Sequence, residues 1–332
     1  MPCAIATPNA DEPHVQAGIP VCRDFKGETI QSRKCAACGY VRFPTPAARV
    51  LDEYYRTTYP ETSAAWYNAD ADFAEWKRQT RAARVLETAR AFGLERGVFH
   101  EVGCAFGGTV FELQSRGLKA TGTDLNAAAV AAGRKRGADI HAVSDAEFLA
   151  RQKQKPNVVF GFHMLEHVPS LVAYLAALRD HLARDAIAFF VVPNAMAAFP
   201  LVYHYVRYVW YGYPEHLHLL SPASAECLAE ASGFELLRIG SLPYGIEPAA
   251  TDRIALPLPG SPVAAALRDH ALREALLCEE LEFVLAPKGS AIARRHEAEA
   301  IGTKLRCDRA REFEKAVGEI AKTSAAPDPW AR

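Results

Sequence analysis

The middle of the chain alternates short apolar runs with segments of helical periodicity. The apolar runs occupy residues 98–103, 118–124, 139–145, 157–162 and 186–192. Strands that alternate with helices form parallel βαβ units, and helices bury both faces of such a sheet. The pattern therefore predicts an α/β fold with a mostly parallel sheet.

Two further strands are predicted after these runs. Residues 234–242 read FELLRIGSL, and residues 278–287 read CEELEFVLAP. In the second segment Leu281, Phe283 and Leu285 alternate with other residues, which is typical of an edge or antiparallel strand. The sheet is therefore expected to end in a strand that differs from the others.

Amphipathic helices are predicted on both flanks of the sheet region. The first ends near Gly93 and has an apolar face formed by Phe73, Trp76, Ala83, Leu86 and Ala89. The last follows Pro287 and has a sparse apolar stripe formed by Leu305, Phe313, Val317 and Ile320. We predict three parts: an amino-terminal module (1–60), a core (61–289), and a carboxyl-terminal helix and tail (290–332).

Composition and charge narrow the class of protein. Of the 332 residues, 50% are hydrophobic and 23% are charged, which indicates a globular rather than a disordered chain. The 38 basic and 39 acidic side chains give a net charge of -1, so no broad positive surface favours nucleic acid or an anionic membrane. Prolines and polar residues interrupt the apolar stretch 186–213, which argues against a membrane span. With no secretory signal at its start, the chain is expected to be cytoplasmic.

The loop after the first predicted core strand has the features of a nucleoside site. The strand runs through Glu101 to Gly103, and a helical segment begins just after Gly107. Asp124 ends the next strand, where a carboxylate accepts hydrogen bonds from both ribose hydroxyls. A dinucleotide fingerprint would have glycine at position 105, where this chain has alanine. Glu101 would repel a pyrophosphate but would suit a cationic ligand.

These motifs resemble class I S-adenosylmethionine (SAM)-dependent methyltransferases. The resemblance is carried by the E-x-G-x-x-x-G segment 101–107, by Asp124 and by the sequence MLEHV at 164–168. It covers roughly residues 70–290 and implies a Rossmann-like sheet of seven mostly parallel strands with helices on both faces. The final strand of that family is antiparallel, and the segment EFVLAP (282–287) would match it.

The same resemblance implies which residues bind SAM. The loop would line the methionine end of the cofactor, Asp124 and Leu125 would contact the ribose and adenine, and two later segments would contact the adenine amino group and the sulfonium. The implied cofactor-binding residues are Glu101, Gly103, Cys104, Ala105, Gly107, Asp124, Leu125, Asp145, Ala146, Phe162 and His163. Ala105 departs from the glycine of many members. His167 is predicted to be a hydrogen-bonded structural histidine at the start of a helix.

An aromatic segment after the fifth strand is expected to face the methyl acceptor. Residues 203–218 contain five tyrosines and three histidines, which predicts a lid over residues 195–220. The alternative is that these rings pack a helix onto the sheet. The predicted candidates for the base that removes a proton from the acceptor are His216 first, then His163, Tyr213 and His218.

The amino-terminal cysteines resemble the zinc-bearing module of a methyltransferase subgroup that includes sugar C-methyltransferases. Cys22 and the Cys35-x-x-Cys38 pair carry this resemblance, but Cys22 lacks the second cysteine of a C-x-x-C pair. Cys3 or His14 would complete a four-coordinate structural zinc site. The alternative is a set of ordinary buried thiols.

The sequence therefore predicts methyl transfer from SAM to an O, N or C atom of a small metabolite, in a secondary or sugar pathway. One alternative is an enzyme that consumes SAM without methylation and releases methylthioadenosine. Another is a noncatalytic protein that binds the cofactor. The carboxyl-terminal helix is expected either to cap its own core or to pair two subunits as a homodimer.

Overall fold

The computed structural model describes residues 67–196, 215–242 and 273–323, and in the amino-terminal part residues 5, 15–16, 20–23, 29–35, 37–46, 50 and 54. These residues form a central sheet of seven strands, helices on both of its faces, and two smaller sheets.

Short strands make up the described amino-terminal part. They are β1 (Val15–Gln16), β2 (Pro20–Arg23), β3 (Thr29–Gln31), β4 (Arg33–Cys35) and β5 (Val41–Arg42). β2 and β3 form an antiparallel pair, whereas β1, β4 and β5 belong to a separate antiparallel sheet. The Cys35-x-x-Cys38 segment connects β4 to β5.

The central sheet contains most of the strands among the described residues. In chain order they are β6 (Val98–Val102), β7 (Lys119–Thr123), β8 (Ile140–His141), β9 (Val158–Phe162) and β10 (Ile187–Pro193). After β11 (His218–Leu219), which pairs with β5 in the smaller sheet, come β12 (Phe234–Leu242) and β13 (Glu280–Pro287). The order across the sheet is β12-β13-β10-β9-β6-β7-β8.

The strand directions confirm the predicted Rossmann-like architecture. β6 to β10 pair in parallel, and β13 is antiparallel to both β10 and β12. The late strand is therefore antiparallel, as predicted, but β12 rather than β13 forms that edge of the sheet. The third predicted strand is shorter than expected, because Ser144 accepts a hydrogen bond from the amide of Glu147 and so begins a helix.

Helices cover the central sheet. Those described are α1 (Ala69–Phe73), α2 (Glu75–Ala91), α3 (Gly108–Ser115), α4 (Ala127–Lys135), α5 (Asp145–Ala150), α6 (Leu171–Asp180), α7 (Pro222–Ala231), α8 (Ala291–Arg295) and α9 (Glu297–Thr323). A 3-10 turn (Leu165–His167) follows β9. Within the described ranges, no helix combines the length and the apolar content needed to cross a membrane.

Alternation along β10 divides the core into two parts. Phe190 belongs to one buried hydrophobic cluster and Phe189 to the other, and neighbours along the strand follow the same alternation. All seven residues of β10 are buried, as are all five of β9. Continuous apolar runs are expected in parallel strands that are covered on both faces.

The cap of α7 follows directly from its sequence. Ser221 accepts a hydrogen bond from the amide of Ser224, and the Ser224 side chain bonds back to the amide of Ser221. Pro222 occupies the first helical turn, where its missing N–H costs nothing. This cap fixes the end of the segment that carries His216 and His218.

The carboxyl-terminal helix packs through a different face from the one predicted. Leu305 and Phe313 are exposed, while Thr303 and Cys307 are buried. The Thr303 hydroxyl donates to the backbone carbonyl of Leu237 in β12. Small side chains let the helix approach the sheet closely, so the larger apolar residues are left on the outside. The side chains of Val317 and Ile320 lie outside the described residues.

Candidate functional site

The loop after β6 turns sharply at the carboxyl edge of the sheet. Gly103, Ala105 and Gly107 all have positive φ angles, of 62°, 49° and 78°. A Cβ atom on Gly103 would lie 2.4 Å from Cγ of Met164, so only glycine fits there. Ala105 adopts the same left-handed region without being glycine, which costs conformational energy. The loop therefore keeps its shape although position 105 is alanine, where many members of the similar family have glycine.

Asp124 at the end of β7 fixes the loop from the neighbouring strand. Its Oδ2 accepts from the amide of Ala105 and its Oδ1 from the amide of Asn126, each at 2.8 Å. Burial raises the pKa of Asp124, although these two hydrogen bonds lower it. Each carboxylate oxygen keeps a further lone pair. Leu125 follows with its side chain 80% exposed, which provides an apolar surface beside the carboxylate.

Asp145 begins α5 and is held by two hydroxyl groups. Thr123 donates to its Oδ1, and Tyr174 donates to its Oδ2 at 2.7 Å. Thr123 also lies 3.1 Å from Nε2 of His100, a buried histidine whose pKa burial lowers to about 3. His100 is therefore neutral. Sequence reasoning identified Asp145 but missed Thr123, Tyr174 and His100, because their hydrogen bonds join residues distant in sequence.

The remaining predicted residues of this edge have different surroundings. Ala146 is exposed beside Asp145. The amide of Cys104 donates to the carbonyl of Thr123 at 2.9 Å, while its side chain is buried against Gly122. Burial raises the pKa of the Cys104 thiol well above its ordinary value. Cys104 therefore shapes the loop through its backbone and is not a reactive thiolate.

Glu101 is a buried carboxylate at the end of β6. Its Oε2 atom has no hydrogen-bond partner among the described residues, and the residue as a whole is only 3% exposed. Burial and, to a smaller degree, Asp72 raise its pKa to about 8, against the opposing effects of Arg81 and Lys77. Sequence reasoning missed Asp72, Lys77 and Arg81, which α1 and α2 bring to this place. A cationic ligand group here would satisfy the Glu101 carboxylate.

Phe162 and His163 lie at the end of β9. The Arg81 guanidinium lies over the Phe162 ring, 4.8 Å from its centroid. His163 has a φ of 53°, and its Nε2 lies 2.8 Å from Oε1 of Glu280. Burial by itself lowers the pKa of His163, but its contacts with Glu166 and Glu280 raise it to about 9. His163 is therefore positively charged at neutral pH, in which form it does not accept a proton.

His216 belongs to a buried polar cluster with residues of the 3-10 turn. The His167 and His216 rings meet edge to face with centroids 4.8 Å apart. His216 Nε2 lies 3.6 Å from Oε1 of Glu215, whose other oxygen accepts from the Tyr54 hydroxyl at 2.6 Å. The amide of Leu217 donates to the carbonyl of Glu166 at 2.7 Å, which joins the two segments. The fold therefore brings His216 next to the end of β9.

The ring of His218 is held by hydrogen bonds on both of its nitrogen atoms. The Tyr40 hydroxyl bonds to its Nδ1 at 2.5 Å, and its Nε2 bonds to the carbonyl of Val168 at 2.7 Å. Burial lowers the pKa of His218 to about 4. Both ring nitrogens are therefore engaged in joining the amino-terminal sheet to the core. Tyr213 lies outside the described residues, as does most of the predicted lid.

Two of the predicted zinc ligands lie in the turn between β4 and β5. Cys35 and Cys38 are buried, and the amide of Gly39 donates to the carbonyl of Cys35 at 2.9 Å. Gly39 has a φ of 71°, which a tight turn after the second cysteine requires. Cys22 lies in β2, with its side chain outside the described residues, and so do Cys3 and His14. Zinc binding stays a prediction.

The donor set of the β6–β9 edge fits SAM. Asp124 has acceptor capacity for ribose hydroxyls, and the exposed Leu125 side chain offers an apolar surface that suits an adenine. The unpartnered Oε2 of Glu101 suits the positively charged methionine end. Gly103 lets the loop pack directly against the Met164 side chain, which keeps the turn tight. Each part of the cofactor thus has chemically matched residues.

Comparison with known proteins agrees with this chemistry. The sequence matches the family described as methyltransferase domain over residues 73–239, half of the chain. A comparison with curated proteins finds no match.

Several solved structures are similar to this chain. One is a SAM-dependent methyltransferase from Archaeoglobus fulgidus, at 16% identity and a TM-score of 0.45, covering 72% of this chain and 99% of that one. Magnesium protoporphyrin IX methyltransferase from Synechocystis PCC 6803 with bound SAM has 14% identity and a TM-score of 0.41, covering 72% and 96%. The plantazolicin methyltransferase BpumL in complex with S-adenosylhomocysteine (SAH) has 13% identity and a TM-score of 0.48, covering 72% and 95%.

Proposed function

We propose that this chain, which belongs to the methyltransferase-domain family, transfers the methyl group of SAM to an O, N or C atom of a small-molecule metabolite. The observation that carries the proposal is the position of segment 215–217, which is hydrogen-bonded to the turn that follows β9. This segment brings His216 to the edge where Phe162 and His163 border the predicted sulfonium. A secondary or sugar pathway is the metabolic setting that we propose.

The residues of the cofactor edge have separate proposed roles. Asp124 accepts from the ribose hydroxyls, Leu125 packs against the adenine, and Asp145 accepts from the adenine amino group. Gly103, with Ala105 and Gly107, shapes the loop that lines the methionine end. SAM supplies an activated methyl group when bound, so the protein contributes mainly alignment.

The acceptor is proposed to bind next to His216. Methyl transfer in line with the sulfonium bond requires the acceptor atom to be held at a fixed angle, and an acidic acceptor also loses a proton. His216 is the proposed proton acceptor, with the Glu215 carboxylate 3.6 Å from its Nε2 as a partner for the charged ring. Tyr54 fixes Glu215 from the amino-terminal part.

Product analysis tests this proposal. Purified protein is incubated with SAM and a panel of hydroxylated, aminated and sugar metabolites, and the mixture is analysed by mass spectrometry. SAH together with an acceptor heavier by one methyl group is expected. Methylthioadenosine in its place would show a different use of SAM, and binding without turnover across the panel would indicate a noncatalytic protein.

A matched pair of variants tests the role of His216. His216→Gln is expected to slow the chemical step and to leave SAM affinity nearly unchanged, because His216 is not among the residues predicted to bind SAM. Tyr40→Phe serves as the control, since Tyr40 contacts His218 rather than His216. An unchanged rate in His216→Gln would remove this residue from proton transfer.

The amino-terminal cysteines are proposed to hold a structural zinc ion. Support comes from the buried Cys35 and Cys38 in one tight turn. Zinc bound by thiolates stabilises small modules of this kind. Metal analysis of wild type and Cys38→Ser tests this, and equal zinc content in the two proteins would contradict it.

A further inference from the structure

A second group of potential metal ligands lies beside the proposed acceptor site. Glu166, His167 and His216 each present one ligand atom, and these atoms all lie within 4.8 Å of one another. Glu166 and His216 are buried, and His167 is partly buried. Ligand atoms around a tetrahedral zinc ion are about 3.4 Å apart. The distances between the three ligand atoms would therefore shorten by about 1 Å when an ion binds.

Glu166 provides the second observation that points to a ligand. The residue is 2% exposed, and neither carboxylate oxygen has a hydrogen-bond partner among the described residues. Oε1 is ion-paired with His163, whose Nδ1 lies 3.4 Å away, whereas Oε2 has no partner among the described residues. A buried carboxylate oxygen without a hydrogen bond is costly. A bound cation would satisfy its oxygens.

The tautomer of His167 suits a metal ligand. Its Nδ1 lies 2.9 Å from the backbone carbonyl of Glu215, which can only accept, so Nδ1 carries the proton. Nε2 therefore has the lone pair that a metal needs. Histidine ligands commonly donate their other N–H to a backbone carbonyl or a carboxylate, which fixes the ring. The Glu215 carboxylate lies near His216 as well, with 3.6 Å between its Oε1 and Nε2 of the ring.

The charges around the cluster favour a cation. Glu166 is the carboxylate of the cluster, and the Glu215 carboxylate lies 3.6 Å from His216. The positive group beside them is His163, whose Nε2 also lies 2.8 Å from Glu280, so its charge is shared between two carboxylates. Negative charge therefore exceeds positive charge around the cluster. An excess negative charge in a buried cluster is stabilised by binding a positive ion.

We propose that Glu166, His167 and His216 bind a divalent transition-metal ion such as Zn²⁺ or Co²⁺. Two imidazoles and one carboxylate suit these ions better than Mg²⁺ or Ca²⁺, which prefer oxygen ligands. Three protein ligands leave a coordination position open for the acceptor's heteroatom, and this part of the inference rests on the proposed function. With the ion bound, His216 acts as a ligand, and the ion takes over the activation of the acceptor.

Cobalt titration of the full chain tests the site, because Co²⁺ occupies zinc-type sites and its absorption reports its ligands. We expect a d–d band from nitrogen and oxygen ligands that grows with one equivalent of Co²⁺. Thiolate ligation at the amino-terminal cysteines would add a sulfur-to-cobalt charge-transfer band, which separates the two sites in one spectrum. Mg²⁺ at the same concentration is expected not to displace the cobalt.

Substitution of Glu166 gives the decisive comparison. Glu166→Gln preserves shape and removes the charge, and it is expected to weaken cobalt binding at the nitrogen and oxygen site at least tenfold. The matched control is Glu112→Gln, a buried carboxylate that binds Arg78 and Arg116 instead. His167→Gln provides a second ligand variant if Glu166→Gln does not fold, as judged by thermal melting.

Two results would overturn the site: only sulfur-bound cobalt in the wild type, or equal cobalt affinity in the wild type and the ligand variants. SAM is titrated into the same samples. Absence of SAM binding would refute the proposed function without affecting the cobalt result. SAM binding without the nitrogen and oxygen cobalt band would refute the cation site alone.

Discussion

Binding of SAM should release a proton from Glu101. In the ligand-free protein this carboxyl has a pKa of about 8, chiefly because it is buried. Its Oε2 lacks a hydrogen-bond partner in the described part of the chain. A nearby positive charge favours the ionised form of a carboxyl group. The ammonium and sulfonium groups of SAM should therefore lower the pKa of Glu101 back toward its ordinary range.

The expected size of the effect follows from the pKa. At pH 7, one unit below 8, about 0.9 of the Glu101 carboxyls are protonated in the free protein. If SAM binds with Glu101 ionised, about 0.9 proton is released on binding at this pH. The sign follows from the acid being protonated below its pKa, so SAM affinity should rise with pH, by close to tenfold per unit below pH 8.

Isothermal titration calorimetry measures this proton release. The binding enthalpy is determined at pH 7 in two buffers of different ionisation enthalpy, and the difference gives the number of protons released. Glu101→Gln is the matched control, because it preserves the shape and cannot ionise. Protons that SAM itself exchanges with solvent appear in both proteins and cancel.

Equal proton release in the wild type and in Glu101→Gln would refute the reasoning. It would mean that Glu101 has the same charge with and without the cofactor. The carboxylate would then be a structural group rather than the partner of the positively charged methionine end.

Three further predictions concern affinity and stability. Asp124→Ala should weaken SAM binding at least tenfold, which corresponds to about 1.4 kcal/mol or more; unchanged affinity by calorimetry would exclude the ribose role. Tyr174→Phe frees one oxygen of Asp145 and should raise the KM for SAM severalfold with kcat nearly constant, since a residue that acts only on the cofactor changes binding; a loss of kcat alone would contradict this. Tyr40→Phe should lower the free energy of unfolding by about 1–3 kcal/mol, because it leaves a buried nitrogen of His218 unsatisfied, and denaturant unfolding measures it; an unchanged midpoint would show that the contact is not stabilising.

The order of the fold was predictable because its signals are local. Apolar runs such as 157–162 and 186–192 are continuous, and parallel buried strands require this pattern. The loop at Gly103 was recognisable for a similar reason, since its glycine positions are set by backbone geometry. Asp124 follows at the end of the next strand, where parallel topology brings it to the same edge.

Long-range packing explains what the sequence left undetermined. Leu305 and Phe313 indicated a buried stripe, but α9 instead buries the small residues Thr303, which bonds to β12, and Cys307, which bonds to the Pro222 carbonyl of α7. Hydrophobic periodicity predicts that a helix forms, but it does not predict how closely that helix packs against the sheet.

The polar partners were hidden from sequence for a related reason. His100 points to one face of β6 and Glu101 to the other; the motif 101–107 marks Glu101 itself but not the residues that surround either side chain. Their contacts with Thr123 and Asp72 depend on the register of β6 and β7 and on how α1 approaches the loop. Such pairs become visible only when distant segments are placed together.

The pairing of β11 with β5 has a consequence for shortened versions of the enzyme. A chain cut down to the methyltransferase core would keep His218 and Leu219 but lose the backbone groups of Arg42 and Val41 opposite them. The backbone N–H and C=O groups of β11 would then be exposed, and such groups promote pairing with a strand of another chain. The same cut would deprive the segment that ends in Ser221 of its contact with the carbonyl of Cys38. Soluble expression of this protein should accordingly depend on keeping its first 46 residues attached.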